Sequence, residues 1–196
     1  MMRLALAACA LALALSAAAA RADSMAWNIE EDSRLGFIAR QLGAPVEALF
    51  GSFEAEIVFA PDALGESRIA ITIEMASVDS RNRERDDVIR SAALFDTANW
   101  PTASFEAERF EATGEDLYEA HGRLTLKGVT RAVVLPFSLT IAPDPQTPER
   151  LRAQAAGELT IQRLDYGIGQ GLWQDTSVVA DEIVIFIEIS ATRPAN

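Results

Sequence analysis

Ile183, Ile185, Ile187 and Ile189 are separated in turn by Val184, Phe186 and Glu188, and the same period of two recurs along most of the chain. Ile69, Ile71, Ile73 and Met75 alternate with Ala70, Thr72 and Glu74; Val133, Leu135, Phe137, Leu139 and Ile141 alternate with Val134, Ser138 and Thr140; Phe53, Ala55, Ile57 and Phe59 oppose Glu54 and Glu56. Weaker alternation marks residues 35–41, 103–110, 118–126 and 153–161. Successive side chains of a strand point to opposite faces, so each run offers one apolar face and one wetter face. Eight strands are predicted. Ten residues span roughly 33 Å at about 3.3 Å each. Antiparallel strands of that length must close on themselves or leave exposed edges. Eight of them closed into a barrel are just wide enough to hold one elongated ligand. A filled two-sheet sandwich satisfies the same pattern, and periodicity alone leaves both open.

One segment departs from the β rhythm. Over 82–95 the spacing of Val88, Ile89, Ala92, Ala93 and Phe95 fits an amphipathic helical turn or two, with Arg85, Asp86, Asp87 and Arg90 on the wet side. A helix inserted between two barrel strands covers one mouth. The longest break elsewhere, 142–148, carries Pro143, Pro145 and Pro148, which forbid regular pairing. Seven residues make a loop and not a domain boundary, so residues 23–196 are expected to form one domain.

Residues 1–22 are read as a cleaved secretory signal. Arg3 gives a positive start, 4–15 is an unbroken apolar run, and Ala20-Arg21-Ala22 places small residues where a signal peptidase reads. That run is too short to span a bilayer, which takes roughly 20 residues. Leu6-Ala7-Ala8-Cys9 has the letters of a lipoprotein box, but only five apolar residues precede Cys9 and the run continues past it. Cleavage after Ala22 sends the protein to the periplasm, or outside the cell, with 15 Lys+Arg against 29 Asp+Glu, a net charge of −14. It also removes the sole cysteine, so burial must supply the stability without disulfides. The charge argues against nucleic acid as a partner, because no basic stripe exists to release counterions from phosphate. It argues equally against electrostatic docking on an anionic bilayer.

The inventory for chemistry is thin. His121 is the sole histidine, and a zinc site of the usual kind needs three or four His or Cys ligands. His121 falls mid-strand with no nucleophile-elbow sequence in the chain. Asp86-Asp87 and Asp181-Glu182 are adjacent in sequence, so their side chains diverge, whereas paired acid and base work needs two carboxyls facing one gap. Gly167-Ile168-Gly169-Gln170-Gly171 does not open an apolar helix and reads as a turn. No catalytic residue, metal site or cofactor is expected. What remains is apolar surface: Phe37, Phe53, Phe105 and Phe137 sit mid-strand on apolar faces, where they either fill a core or line a slot.

Taken in order, several short stretches resemble the YceI-like family of periplasmic, lipocalin-like polyisoprenoid-binding proteins, over Trp27 to about Thr192. They are Trp27-Asn28-Ile29-Glu30 through Phe37, Gly51-Ser52-Phe53, Ala76-Ser77-Val78-Asp79-Ser80 with Arg85-Asp86 and Arg90-Ser91, Trp100-Pro101 with Phe105, and Gly122-Arg123-Leu124-Thr125-Leu126-Lys127-Gly128-Val129-Thr130. Val88-Ile89 stand where the family often has His-Leu, and Tyr166-Gly167 where it has Phe-Gly. The resemblance implies a closed eight-stranded antiparallel lipocalin-like barrel with a short helix covering one end. It implies a polyisoprenoid, an isoprenoid quinone or another fatty amphiphile held inside by a periplasmic carrier or reservoir, acting as a monomer or homodimer. Gly169-Gln170-Gly171-Leu172-Trp173 is similar to a branch associated with membrane b-type cytochromes, which offers the alternative of an accessory subunit to such a partner. The family lends no catalytic motif. Alternation then nominates the ligand-lining residues as Phe37, Phe53, Ile57, Ile71, Ile73, Phe105, Leu124, Leu135, Phe137, Leu159, Ile185 and Ile187, with Leu94, Phe95 and Trp173 at the mouth.

Overall fold

A computed structural model describes residues 26–195; the signal and Cys9 readings lie outside the described residues. The strands are β1 (Ala26–Ile29), β2 (Arg34–Gln41), β3 (Ala44–Phe50), β4 (Phe53–Val58), β5 (Arg68–Glu74) and β6 (Val78–Asp79), then β7 (Thr102–Gly114), β8 (Leu117–Leu126), β9 (Val129–Pro143), β10 (Arg150–Gln162) and β11 (Glu182–Pro194). Among the described residues one α-helix, α1 (Arg83–Arg90), lies between β6 and β7.

Every pairing is antiparallel, the strand order is β1-β4-β5-β7-β8-β9-β10-β11-β2-β3-β6, and β1 pairs with β11 to close the ring. The strands form eight ribbons because three ribbons are interrupted. β1 and β2 are one ribbon along β11, broken at 30–33, where Ser33 Oγ accepts from Ser190 N at 3.0 Å and Glu30 N donates to Ser190 O at 2.8 Å. β3 and β4 are likewise one ribbon, paired to β2 and β1 and broken at Gly51 and Ser52. There Gly51 N donates to Ser77 O and Glu74 N to Ser52 O, so the break in this ribbon matches the 3-10 turn (Met75–Ser77) that separates β5 from β6. The expected closed eight-stranded barrel is the fold found, and the sandwich alternative falls with the β1–β11 pairing.

Alternation decides which face goes inward. Ile71, Ile73, Phe105, Leu124 and Leu126 are buried, while Thr72, Glu74, Glu106 and Arg123 on the same strands are exposed. The two barrel ends receive different connections. One end holds the Leu42-Gly43 turn, α1 with the chain to β7, the Lys127-Gly128 turn and the long 163–181 connection. The other holds 59–67, the β7–β8 turn, the β9–β10 loop and both ends of the described chain.

α1 forms because Asn82 caps it, its Oδ1 accepting from Arg85 N at 3.0 Å, with acidic Glu84 and Asp86 in the first turn where the helix dipole favours them. It stops at Ser91, whose backbone N–H and hydroxyl both donate to Val88 O. The wet side expected for this helix needs correction. Asp86 is buried, its Oδ1 accepting from Ser80 N at 2.8 Å and Ser80 Oγ at 2.5 Å, and Arg85 is half-buried on the same serine; Val88, placed on the apolar side, is exposed. A carboxylate that satisfies a backbone N–H and a hydroxyl at once loses little on leaving water. Arg90 completes the attachment by donating to Ala76 O and Val78 O at 2.9 and 2.8 Å.

Candidate functional site

The interior is hollow for part of its length. A cavity of about 170 Å³ lies beneath α1 and the 163–181 connection. On β2 its lining takes in Leu35, Phe37, Ala39 and Gln41, four successive inward positions that cover about 20 Å of strand. A space of that volume drawn out over that length is narrow. Of the side chains lining it, all but Gln41, Arg85 and Arg163 are apolar or aromatic. Cavities of about 150 Å³ lined by Leu, Ile and Phe stay dry and admit apolar guests. Its lining reaches Val88, which is 37% exposed, so the space approaches the surface beside α1.

Twelve of the fifteen nominated residues line this cavity: Phe37, Ile71, Ile73, Leu94, Phe95, Phe105, Leu124, Leu135, Leu159, Trp173, Ile185 and Ile187. The other three do not. Phe137 stacks on Tyr118 with ring centroids 5.5 Å apart and belongs to the aromatic cluster at the far end of the barrel. Phe53 and Ile57 sit opposite Ile73 and Ile69, on the inward face, but are only half-buried and outside the cavity. Alternation gives the face of a strand and not the depth along the axis, so these residues were indistinguishable from the liners in sequence. The lining also takes in Phe50, Met75, Leu126, Ile161, Ile168 and Ile183, which the same reading passed over. Four of these six continue an alternation already recognised, and Phe50 and Ile168 lie outside the eight recognised runs.

Arg163 builds the mouth. Its side chain is 2% exposed, and its guanidinium donates to five carbonyls: Ala180 at 3.0 Å through Nε, Ile168 and Gly169 at 2.9 and 3.2 Å through Nη1, and Trp173 and Val179 at 2.7 and 2.8 Å through Nη2. Burial pushes this guanidinium below its ordinary value, partly offset by the nearby Asp181 carboxylate. It stays charged at neutral pH, as arginines do. Gly169 has φ +81, and a Cβ there would stand 2.1 Å from Arg163 Nη1, so both its conformation and its closeness to the arginine require glycine. Gly169 N also donates to Ala93 O, and Lys127 Nζ donates to Ala92 O and Leu94 O at 3.1 and 2.8 Å. The β8–β9 turn, the chain after α1 and the 163–181 connection are thereby tied into one rim. The stretch Gly169 to Trp173 is thus shaped locally by one arginine. The sole sequence signal for Arg163 was a glycine-rich segment lacking an obvious partner.

Below the rim Phe37, Phe50 and Phe95 pack with centroids 5.7–6.3 Å apart, edge-on between Phe37 and Phe95. Arg85 points into the lining with Nε and Nη2 committed to Ser80. Its remaining terminal nitrogen takes part in no described hydrogen bond.

On the outer wall, His121 (β8) lies beside Glu111 and Glu119, with Nε2 3.5 Å from a carboxylate oxygen of each. The Arg109 guanidinium donates to His121 Nδ1 at 2.6 Å and pairs with Glu111. A cation already stands where a metal ion would bring charge, and the group lies on the opposite face of the wall from the cavity.

The fold and its relatives agree. Over 144 residues, 74% of this chain and 72% of the relative, it is 31% identical to a UPF0312 protein of Azotobacter vinelandii. Among solved structures, Burkholderia cenocepacia BcnA superposes with a TM-score of 0.76 at 28% identity, covering 84% of this chain and 99% of that one. A polyisoprenoid binding domain from Saccharophagus degradans, implicated in plant cell wall breakdown, superposes at 0.65 with 19% identity, covering 86% and 98%. The sequence profile of the YceI-like domain matches residues 27–191, from the buried Trp27 through the strand that closes the barrel, and the chain belongs to that family.

Proposed function

We propose that this protein binds one long apolar lipid, of the polyisoprenoid or isoprenoid-quinone type, inside the barrel and serves as a periplasmic carrier or reservoir without transforming it. The observation that carries the reading is the continuous apolar lining beneath α1. A space this narrow takes a slender chain lengthwise and rejects a broad ring system. Each methylene taken out of water contributes about 0.8 kcal/mol, so a few isoprene units bind tightly with almost no polar contact. The polar liners Gln41 and Arg85 lie by the mouth elements, which orients an amphiphile with its head outward and its tail toward the closed end. The name of the Saccharophagus degradans domain supports the choice of ligand class.

Organic extraction and mass spectrometry of protein purified from its own envelope test this directly. A prenyl or acyl lipid is expected at about one per chain. Leu135→Trp, which fills the cavity from its wall, is expected to abolish the load while leaving the fold intact by circular dichroism. A parent protein that yields no lipid, and does not take up a fluorescent prenyl chain, would falsify the reading.

A further inference from the structure

The large apolar residues left exposed are not scattered. Leu42 is 76% exposed, Leu172 is 95% exposed, and Val88 and Trp100 are the next at the same end; of the six such residues described, only Leu117 and Val134 lie elsewhere. Leu42 breaks two rules at once. It occupies the first position of a two-residue hairpin turn at φ +50, followed by Gly43 at φ +82, a turn that favours Asn-Gly, and it puts a leucine into water. Departures from local preference with no structural gain mark functional positions. Its neighbours show that the tip belongs to the mouth: Leu42 N donates to Val178 O at 2.9 Å, in the same connection that carries Leu172.

Charge follows the same division. Three far-end segments, residues 59–67, 115–116 and 144–149, carry six Asp and Glu and no Lys or Arg. The mouth connections, residues 42–43, 80–101, 127–128 and 163–181, carry six Lys and Arg against seven Asp and Glu; Asp86 is held on Ser80, and Arg85, Arg90, Lys127 and Arg163 are held on Ser80 or on backbone carbonyls. Arg81 and Arg83 are exposed and make no described side-chain bond. β6 runs antiparallel to β3 toward the Leu42 tip, so both arginines emerge on that side, and Arg40 joins them by donating to Gly43 O. At physiological salt, charges more than about 8 Å apart in water are largely screened. The acidic far end lies several such lengths away along strands of thirteen residues, about 43 Å of chain before tilt. An approaching surface meets the mouth's charge and not the average charge of the chain.

We propose that the mouth is a bilayer-docking face: Leu42 and Leu172 enter the apolar layer of an anionic leaflet while Arg40, Arg81 and Arg83 meet its phosphates. The inference deepens the carrier reading, on which its purpose rests, by giving the cavity a route from membrane to barrel that avoids water. Sedimentation of the purified protein with phosphatidylglycerol–phosphatidylethanolamine vesicles tests it, with native mass spectrometry of the same samples reporting the load. Binding is expected to weaken with added salt. L42N/L172S is expected to lower vesicle affinity about tenfold or more, as befits two exposed leucines, with an unchanged or higher Tm because asparagine suits the turn. R81S/R83S is expected to flatten the salt dependence. Vesicle affinity unchanged in L42N/L172S overturns the proposal. So does binding only to native membranes and not to protein-free vesicles, which would assign the face to a membrane protein. Vesicle binding by a protein that carries no lipid sustains the docking face and removes the carrier reading instead.

Discussion

At the far end of the barrel Phe59 meets Phe110, Tyr118 and Phe137 with ring centroids 5.3–5.6 Å apart, three of them edge-on to it, and Tyr118 stacks on Phe137. Trp27 seals the margin by donating from Nε1 to Phe59 O at 3.0 Å, under the Arg193 guanidinium 4.5 Å from its ring. At the mouth end Phe37, Phe50 and Phe95 pack nearly as closely, with centroids 5.7–6.3 Å apart, yet the space beside them is open. Both clusters are built of aromatic rings, and the mouth cluster is only slightly the looser of the two. The difference lies in what reaches the axis. Phe59 comes from a connection that folds back into the barrel, so it fills the middle that wall residues cannot reach. At the mouth, Arg163 and Lys127 hold the connections on their carbonyls, and those connections roof the space instead of filling it. A hollow barrel is thus a filled barrel whose loops are tied back by polar bonds.

The largest effect that separates the two ends should come from Phe59→Ala. The ring is buried among three others, and removing it should cost about 3–5 kcal/mol in urea unfolding. Lipid load measured by mass spectrometry should persist in whatever folded protein remains. A loss of load in the folded fraction would mean the two ends are not independent. Next is Arg163→Met, which keeps the apolar stem but leaves five carbonyls without their donor. About 2–4 kcal/mol is expected, since part of this connection can recruit water. Here the load should fall as well, because the roof loosens. Stability lost with full load retained would show that the arginine shapes the loop and not the mouth.

The same division explains what could be read in the chain beforehand. The eight long runs correspond to β2, β4, β5, β7, β8, β9, β10 and β11, because alternation is a direct imprint of a wall with one dry face. β1, β3 and β6 were illegible as strands. Each is the short or irregular half of an interrupted ribbon, and in β3 the half-buried Leu49 between Ala48 and Phe50 erases the alternation, with Pro45 near its start. The breaks that separate the halves depend on Ser33–Ser190 and Gly51–Ser77 bonds between residues far apart in sequence. The lining was legible as a set of inward positions, whereas depth was not. Phe37 and Phe137 are alike in sequence context, and only the fold-back of Phe59 places one beside a cavity and the other in a plug.

Matched insertions sharpen the contrast between the ends. Ala39 lines the cavity, whereas Ala120 is fully buried outside it, paired with Phe110 and Leu135. Ala120→Leu should cost about 1–3 kcal/mol, as overpacking a dense core does. Ala39→Leu should leave stability in denaturant unchanged or slightly raised and should reduce the lipid load. Equal costs at both positions would show that the space beside Ala39 closes in solution.

The smallest effect lies in the β9–β10 loop of the closed end. Asp144 is buried there, accepting from Gln146 N at 2.8 Å and Thr147 N at 3.2 Å while pairing with the Arg152 guanidinium at 2.9 Å. The backbone N–H of Gln146, above all, with Arg152 and Thr147, holds its carboxyl below the ordinary value against the opposing pull of burial. A carboxyl lowered in the folded state contributes stability that is fully present above the unfolded value of about 3.9 and is lost as pH falls through the folded one. Asp144→Asn should therefore destabilise the protein at neutral pH, and the gap between variant and parent should close below about pH 4. The mouth connections carry Asp175, lowered by the Ser177 hydroxyl and N–H, but its carboxylate fastens only its own turn. Asp175→Asn should accordingly shift the acid unfolding midpoint less than Asp144→Asn does. A larger shift from Asp175 would mean that the roof, and not the plug, is the first part of the barrel to give way in acid.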